Sequence, residues 1–247
     1  MTLDGTNTWV IAAPGADTVV VVDPGPADER HLRRVAGQVE SQGRRIALIL
    51  LTHGHRDHSG GARRLAEITN AAVRALDPAH RLGGEGLAGG DVITAGGCEL
   101  RVVASPGHSA DSLCFLLPED GALLTGDTVL GRGTAVIARD GDLGDYLRSL
   151  DRLHALASSA PVSLLMPGHG PLVADPVGIL DFYIAHRAER LAEVTAAIEA
   201  GDRTVDQIAE RIYEGIDPAL RPFVAWTVRA HLAYLAALGT LPPAVTF

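Results

Sequence analysis

Histidines and aspartates crowd into one short segment of this chain and recur singly, beside glycines, further along it. Residues 52–61 read THGHRDHSGG, and three later candidates stand in the contexts SPGHS, TGDT and MPGHG. Neutral imidazoles and ionised carboxylates are ligands that zinc and similar metals prefer. The neighbouring glycines let the backbone turn sharply, so that these side chains can approach one another. The pattern predicts a metal site built from His53, His55, Asp57, His58, His108, Asp127 and His169.

The seven candidates are enough to hold two metal ions. His53 and His55 alternate along an extended backbone, so their side chains can face the same side. Together with His108 they can coordinate one metal ion and leave a fourth position open for water. The second set consists of Asp57, His58 and His169. The carboxylate of Asp127 has two oxygens, so it can bridge both ions and keep them roughly 3.5–4 Å apart.

Such a pair of ions favours hydrolysis. A water between two cations loses a proton near neutral pH, because zinc alone lowers the pKa of bound water to about 7. We therefore expect a dinuclear-zinc hydrolase whose nucleophile is a metal-bridging hydroxide, with Asp57, His58 and Asp127 nearest the chemistry. The ligand types leave iron and manganese open as alternatives to zinc. Four other histidines are expected in ordinary surface or hydrogen-bonding roles: His31, His80, His154 and His231.

Each candidate ligand follows a predicted strand, and this placement supports the site. The run 46–51 is wholly apolar, as in a buried strand, and His53 comes just after it. Further strands precede the single ligands, at 99–104, 122–125 and 162–166. Strand ends at one rim of a sheet are where a rigid scaffold presents converging side chains. The other predicted elements are a hairpin over 8–13 and 18–23, a helix over 28–42, a helix starting near 59 and a strand over 113–117.

The pattern becomes wholly helical towards the end of the chain. A long helix is predicted over 182–200, and Thr204 with Gln207 forms a capping-box pattern that starts the next helix. One or two more helices are predicted over 218–238, which carries an apolar stripe at helical spacing: Val224, Val228, Leu232, Leu235 and Leu238. The predicted domains are a catalytic domain and a small helical domain, over residues 1–178 and 179–247.

The composition is that of a globular protein and excludes several functions. The chain has 247 residues, 47% of them hydrophobic, a net charge of −9, and no lysine among its 21 basic residues. Without lysine there is no Schiff-base chemistry, and the acidity argues against strong non-specific binding to nucleic acid. The apolar runs are too short to cross a bilayer, and the start shows no secretory signal, so we expect a cytoplasmic protein without a membrane partner. Cys98 and Cys114 are expected to be small core residues.

The order HxHxDH followed by separate H, D and H in PGH, GD and PGHG contexts resembles the metallo-β-lactamase superfamily. The resemblance implies an α/β fold, a four-layer αββα sandwich with the dinuclear site at one edge between two mixed sheets. It extends to GTNTW, DTVLGRGT, DYLRSL and YIAHR, at residues 5–9, 127–134, 145–150 and 183–187. These segments are similar to the lactamase-β-like branch that includes animal mitochondrial endoribonucleases, in which the helical tail is a small winged-helix-like domain.

Members of this branch usually have additional residues that form an edge strand before GTNT, whereas this sequence begins almost at that segment. An exposed sheet edge can pair with the same edge of another copy. We therefore expect that two copies of this chain can form a homodimer through this edge.

The resemblance favours phosphodiester cleavage in single-stranded RNA as the activity. The alternative is a thioesterase of the hydroxyacylglutathione hydrolase (glyoxalase II) type, acting on a small ester or thioester. Hydrolysis of a β-lactam is the third choice. It ranks below the other two because antibiotic-degrading members of the superfamily generally lack the bridging aspartate, which this chain keeps as Asp127. Oxygen chemistry at a di-iron site and a non-enzymatic nucleic-acid-binding protein also stay open. The tail weighs against nucleic acid, since residues 181–247 hold nine acidic and six basic side chains.

Four residues outside the ligand set are candidates for supporting roles. Asp111 could orient a ligand imidazole or cap the turn before the next strand. His186 and Arg187 could reach a phosphate or carboxylate of the substrate, or form a surface helix pair. Asn7 could line the pocket, or serve only a turn.

Overall fold

Two β-sheets packed face to face form the centre of the structure, a computed structural model that describes residues 5–137 and 139–247. Apolar side chains from both sheets fill the space between them, among them Val20, Leu50 and Phe115. Helices cover the outer face of each sheet. The predicted four-layer αββα architecture is therefore confirmed.

The first sheet and its helices consist of β1 (Trp9–Ile11), β2 (Thr18–Val22), α1 (Glu29–Ser41), β3 (Arg45–Leu50), α2 (Arg56–Ser59), α3 (Ala62–Thr69) and β4 (Ala72–Arg74). The strand order is β1-β2-β3-β4, with β1 antiparallel to β2 and the other neighbours parallel. The alternation of side chains along β2 explains how the layers form. Val19 and Val21 pack with the helices, whereas Val20 and Val22 face the other sheet.

The second sheet consists of β5 (Val92–Ala95), β6 (Cys98–Ala104), β7 (Leu113–Leu117), β8 (Ala122–Gly126) and β9 (Leu164–Pro167). Its strands follow one another in sequence order, antiparallel except for the last pair. The parallel pair β8 and β9 is connected through α4 (Leu143–Ser159), which covers the outer face. The predicted core role of the cysteines holds for Cys114, which is buried, while Cys98 is partly buried.

The tail is formed by α5 (Pro176–Glu199), α6 (Val205–Ile212) and α7 (Arg221–Ala237), with a 3-10 turn before α7 (Pro218–Leu220). The predicted capping box at the start of α6 is present. Leu238 is 56% exposed because α7 ends just before it, so its assignment to the apolar stripe was wrong. Residues 179–247 are all described and hold one isolated bridge but no strand, so the tail is helical and its winged-helix-like character stays a prediction.

Helix α5 runs through the predicted domain boundary at residue 178. Its first half packs on α4, with Leu180 and Tyr183 buried in the core beneath the second sheet. Its second half packs against the rest of the tail through Val194 and Ile198. The division into two domains therefore stays a prediction, and a single helix connects its two parts.

Strand β1 lies at the edge of the first sheet, where Val10 is 47% exposed. Pairing of two copies through this edge stays a prediction. The helices of the described part of the chain do not include one with the length and apolarity of a bilayer span. Residues 1–4, part of the segment in which no secretory signal was found, lie outside the described residues.

Candidate metal centre

All seven predicted ligands lie close together, in loops and a short helix that follow strands of both sheets. The loop after β3 carries His53 and His55, and α2 carries the next two ligands, Asp57 and His58. The remaining three follow β6, β8 and β9 of the second sheet: His108, Asp127 and His169. The strand-end placement predicted from the sequence is what brings them to one end of the sandwich.

Three histidines form one half of the cluster. Nδ1 of His55 lies 3.0 Å from Nε2 of His53 and 3.0 Å from Nε2 of His108. His53 and His108 are buried, while His55 is half-buried and reaches the surrounding cavity. Three nitrogens at this spacing can coordinate one cation from one side and leave its other side accessible.

The other half of the cluster contains a carboxylate and two histidines. Nε2 of His169 lies 3.1 Å from Nε2 of His58 and 3.2 Å from Oδ2 of Asp57. Both imidazoles are buried and Asp57 is half-buried. This set of two nitrogens and one oxygen can hold a second cation.

The carboxylate of Asp127 lies between the two halves. Its Oδ2 is 3.6 Å from Nε2 of His108 and 3.4 Å from Nε2 of His169, and its Oδ1 is 3.4 Å from Nε2 of His58. Oδ1 is buried without a hydrogen-bond partner, which is costly for a carboxylate oxygen unless a cation compensates it. Gly168 preserves this space, since a Cβ there would lie 2.6 Å from Asp127 Oδ1. The residues therefore fit a pair of metal ions bridged by Asp127.

The two halves differ in electrostatics. Burial lowers the pKa of His53 well below its ordinary value and also lowers the pKa of His108. Burial has the same tendency at His58, but the carboxylates of Asp23 and Asp127 outweigh it and raise the pKa well above its usual range. Against burial, Asp127 and Asp57 raise the pKa of His169 to about 10. Burial thus favours the neutral imidazole at His53 and His108, whereas His58 and His169 are imidazoles paired with carboxylates.

Sequence reasoning missed Asp23, which supports the second half of the cluster. Its Oδ2 lies 2.8 Å from Nδ1 of His58, and it also accepts hydrogen bonds from the backbone N–H and the hydroxyl of Thr52. The side chain is only 1% exposed. A carboxylate that terminates the apolar run VVVVD was the available signal, because a buried aspartate needs partners. Asp23 orients the His58 imidazole with Nε2 towards the site.

Each of the other buried ligand histidines also has a partner on its second ring nitrogen. Nδ1 of His53 lies 3.0 Å from the Thr52 hydroxyl. Nδ1 of His108 and of His169 lies 2.6 Å and 2.9 Å from the backbone carbonyls of Val136 and Gly5, respectively. A carbonyl accepts only, so in these last two rings Nδ1 donates and Nε2 is free to bind a metal.

The four predicted supporting residues do not line the cavity beside the cluster, as far as the described residues define it. Asn7 donates to the carbonyls of Pro167 and Gly170, so it serves the turn that carries His169. Asp111 accepts from the Ser109 hydroxyl within the turn before β7, in agreement with the capping alternative.

The structure places His186 and Arg187 on α5, outside the lining of this cavity. His186 stacks on Phe182 at 5.9 Å between ring centroids. Arg187 is 3% exposed, so it is neither a surface residue nor in contact with the cavity, and it donates to the carbonyl of Ala135. Burial of an arginine could not be read from its position in this long helix, since arginine is almost never fully buried.

The four histidines assigned ordinary roles stay outside the metal cluster. His31 contacts the Thr8 hydroxyl, and His154 pairs with Asp181 at 2.9 Å. His80 packs beside the glycine between the first two ligands. His231 is buried in the tail and donates from Nδ1 to a backbone carbonyl of its own helix.

A cavity of about 460 Å³ opens beside the cluster. Five ligands form its floor: His55, Asp57, His108, Asp127 and His169. Its walls are mainly apolar and come from the loop after β8 and from the start of α7: Leu130, Ala135, Val136, Leu220, Phe223 and Trp226. Arg132, Arg139 and Asp140 add charged groups to the lining. The tail therefore contributes directly to the space above the metal cluster.

Known proteins are similar to this chain in sequence. The family model of the metallo-β-lactamase superfamily matches residues 1–169. The lactamase-like protein adaB of Aspergillus niger is 32% identical over 244 residues, covering 91% of this chain and 74% of that protein. The beta-lactamase-like protein 2 homolog of Drosophila melanogaster is 29% identical over 259 residues, covering 98% and 85%.

A solved structure shows the same fold. The beta-lactamase domain protein from Burkholderia ambifaria superposes with a TM-score of 0.79 at 23% identity, covering 95% of this chain and 82% of that one. The match of the family model over more than half of the chain and the fold agree with the cluster of histidines and aspartates. This chain belongs to the metallo-β-lactamase superfamily and is a metal-dependent hydrolase.

Proposed function

We propose that this hydrolase uses two metal ions to split a small ester or thioester that carries an apolar acyl group. The observation that carries the proposal is the cavity, because it joins the metal cluster to a mainly apolar wall in one continuous space. Its volume of about 460 Å³ falls within the range of small-molecule sites, roughly 300–1,000 Å³.

The residues have distinct roles in this proposal. His53, His55 and His108 would hold one ion, and Asp57, His58 and His169 would hold the other, with Asp127 placed to serve both. When bound, the two ions supply a nucleophile from water at neutral pH and stabilise negative charge on the reacting oxygen. Asp23 holds the His58 ring in place, and the Val136 carbonyl does the same for His108.

The wall opposite the ligands suits an acyl group better than a nucleic acid strand. Phe223 and Trp226 lie edge to face, with ring centroids 5.3 Å apart, and both line the cavity. Burying an apolar group against such a wall contributes about 25 cal/mol per Å² of area. The net charge of −9 and the acidic tail oppose a polyanionic substrate. For these reasons we place an ester or thioester before RNA, whereas the sequence alone favoured RNA.

Phosphodiester cleavage in single-stranded RNA is the second candidate, and a specific feature favours it. Arg132 and Arg139 belong to the same lining as the aromatic pair. Arginines beside aromatic rings can bind a phosphate while a base stacks on the ring. The expected affinity is modest and strongly dependent on salt.

A parallel assay separates these candidates. The metal-loaded protein is given a benzoyl or octanoyl thioester of glutathione, a single-stranded RNA and a β-lactam, with the His169→Ala variant as the blank. We expect turnover of the thioesters above the blank and little turnover of the other two substrates. Turnover of RNA alone would refute thioester hydrolysis and support phosphodiester cleavage. Turnover of the β-lactam alone would refute both of these activities.

A further inference from the structure

The segment that follows the bridging aspartate forms much of the cavity wall, although its described residues, 128–137, contain no helix or strand. The backbone N–H and C=O groups of such a segment are not paired within a helix or sheet, so they need other hydrogen-bond partners when they are buried. Its shape therefore depends on contacts from the surrounding elements.

Two buried side chains of α5 supply such contacts. The hydroxyl of Tyr183 accepts from the backbone N–H of Leu130, at 2.9 Å, and donates to the carbonyl of Gly133, at 3.0 Å. One turn later along the helix, the guanidinium of Arg187 donates to the carbonyl of Ala135. Together they fix the segment at three points.

The same segment holds a metal ligand. Nδ1 of His108 donates to the carbonyl of Val136, at 2.6 Å, so that Nε2 faces the site, 3.6 Å from Oδ2 of Asp127. Val136 is the residue after the one that Arg187 holds. A shift of this short stretch would move the acceptor of His108 and turn its ring.

The burial of Arg187 is energetically unfavourable, and its contacts compensate only part of the cost. The side chain is 3% exposed and its Nε has no hydrogen-bond partner. The face of the Tyr146 ring, 4.9 Å from the guanidinium carbon, compensates part of the cost. Removing an arginine from water is costly, so packing alone is a poor explanation for its position.

We propose that Arg187 and Tyr183 are positioning residues for the ion held by His53, His55 and His108. They act through the backbone of residues 128–137 and touch neither the ion nor the substrate. This inference rests on the proposed function only in requiring a metal at the cluster. It gives the helical tail a role in metal binding in addition to its contribution to the cavity wall.

The test compares metal binding in variants that remove each contact. Tyr183→Phe deletes only the hydroxyl, Arg187→Lys keeps the charge, and Arg187→Met removes it. Thr195→Val is the matched control, because this hydroxyl on the same helix donates to Leu191 within the helix. Zinc affinity is measured by competition with a chromophoric chelator, and the visible absorption of the cobalt-loaded protein reports the three-histidine half.

We expect two ions in the wild-type protein and in Thr195→Val. Tyr183→Phe and Arg187→Met should bind one of the two ions about 10–100-fold more weakly, the range found for lost outer contacts, and the other ion unchanged. Arg187→Lys should fall between them and the wild type. The cobalt bands of the three-histidine half should weaken selectively.

Wild-type affinity for both ions in every variant would overturn the inference, and so would an equal loss of both ions in a folded Tyr183→Phe protein. Thermal unfolding of Tyr183→Phe checks its fold if Arg187→Met does not fold. If the wild-type protein itself binds no metal, the proposed function fails. If the wild-type protein binds two ions and every variant binds them equally well, only the present inference fails.

Discussion

The carboxylate of Asp23 lies 2.8 Å from Nδ1 of His58, and both side chains are almost completely buried. The pair places a negative charge behind one metal ligand, on the side away from the site. Asp23 has φ +52°, a left-handed conformation that aspartate and asparagine tolerate better than most residues. The backbone at the end of β2 is thus shaped to present this carboxylate.

Asp23→Asn should weaken the ion held by Asp57, His58 and His169 by about 10–100-fold, because it removes the charge and keeps the shape and the tolerated φ. Chelator competition measures this affinity. Asp175→Asn is a matched loss of charge at the start of α5, where asparagine caps a helix as well as aspartate does, and it should change nothing. Equal zinc affinity of Asp23→Asn and the wild type would show that Asp23 does not support the site.

Gly168→Ala should displace Asp127 and His58, since the added Cβ would lie 2.6 Å from an atom of each. We expect loss of at least one ion after dialysis, with little change in the unfolding midpoint of the metal-free protein. Gly37→Ala is the control, because its Cβ would meet open space on helix α1. Full metal occupancy in Gly168→Ala would contradict the predicted crowding at the bridge.

Phe223→Ala and Trp226→Ala should each lower kcat/KM for an octanoyl or benzoyl thioester about tenfold or more, because part of the apolar contact of roughly 1.5–3 kcal/mol is lost. An acetyl thioester, too short to reach this wall, should be affected much less. Phe182→Ala is the matched control, since Phe182 is 51% exposed and lies elsewhere on the tail. Similar losses for long and short acyl groups would refute the predicted acyl site.

Because His231 is buried, we predict that the folded protein loses stability in acid. Burial lowers its pKa from the ordinary 6.5 to about 4, and the nearby Arg187, Arg190 and His186 act in the same direction. The unfolded chain then binds the proton more readily, so stability is full above pH 6.5 and falls as the pH decreases towards 4, by about 3 kcal/mol.

Urea unfolding of the chelator-treated protein between pH 7 and pH 4 measures this effect without a contribution from metal loss. His231→Leu should remove about 3 kcal/mol of the pH dependence. A slope of stability against pH that is the same in the variant and the wild type would assign the acid sensitivity to other groups.

Much of the fold followed from local sequence patterns. The apolar run 46–51 and the strands at 113–117 and 122–125 were found because burial on both faces of a sheet gives a continuous apolar run. The capping box at Thr204 was readable because two side chains reciprocally satisfy the first turn of α6. The short strands β4 and β5 were missed, since three or four residues are too few for a periodic signal.

The site was predictable where its residues are concentrated in sequence, and less so where it depends on tertiary contacts. Five of the seven ligands stand beside a glycine, the other two share the motif with His53 and His55, and the structure brings all seven together. The local signal for Asp23 was a carboxylate at the end of an apolar run, which does not identify His58 as its partner, and α5 gives no local signal for the burial of Arg187. The cavity wall of Phe223 and Trp226 required the packing of the tail over the loop after β8.

The most direct test of the central claim is a crystal structure of the protein grown with zinc, with anomalous data collected on both sides of the zinc, iron and manganese absorption edges. We predict two peaks about 3.5–4 Å apart, one within coordination distance of His53, His55 and His108 and one near Asp57, His58 and His169, with Asp127 between them. A single peak, or peaks away from these side chains, would contradict a dinuclear site.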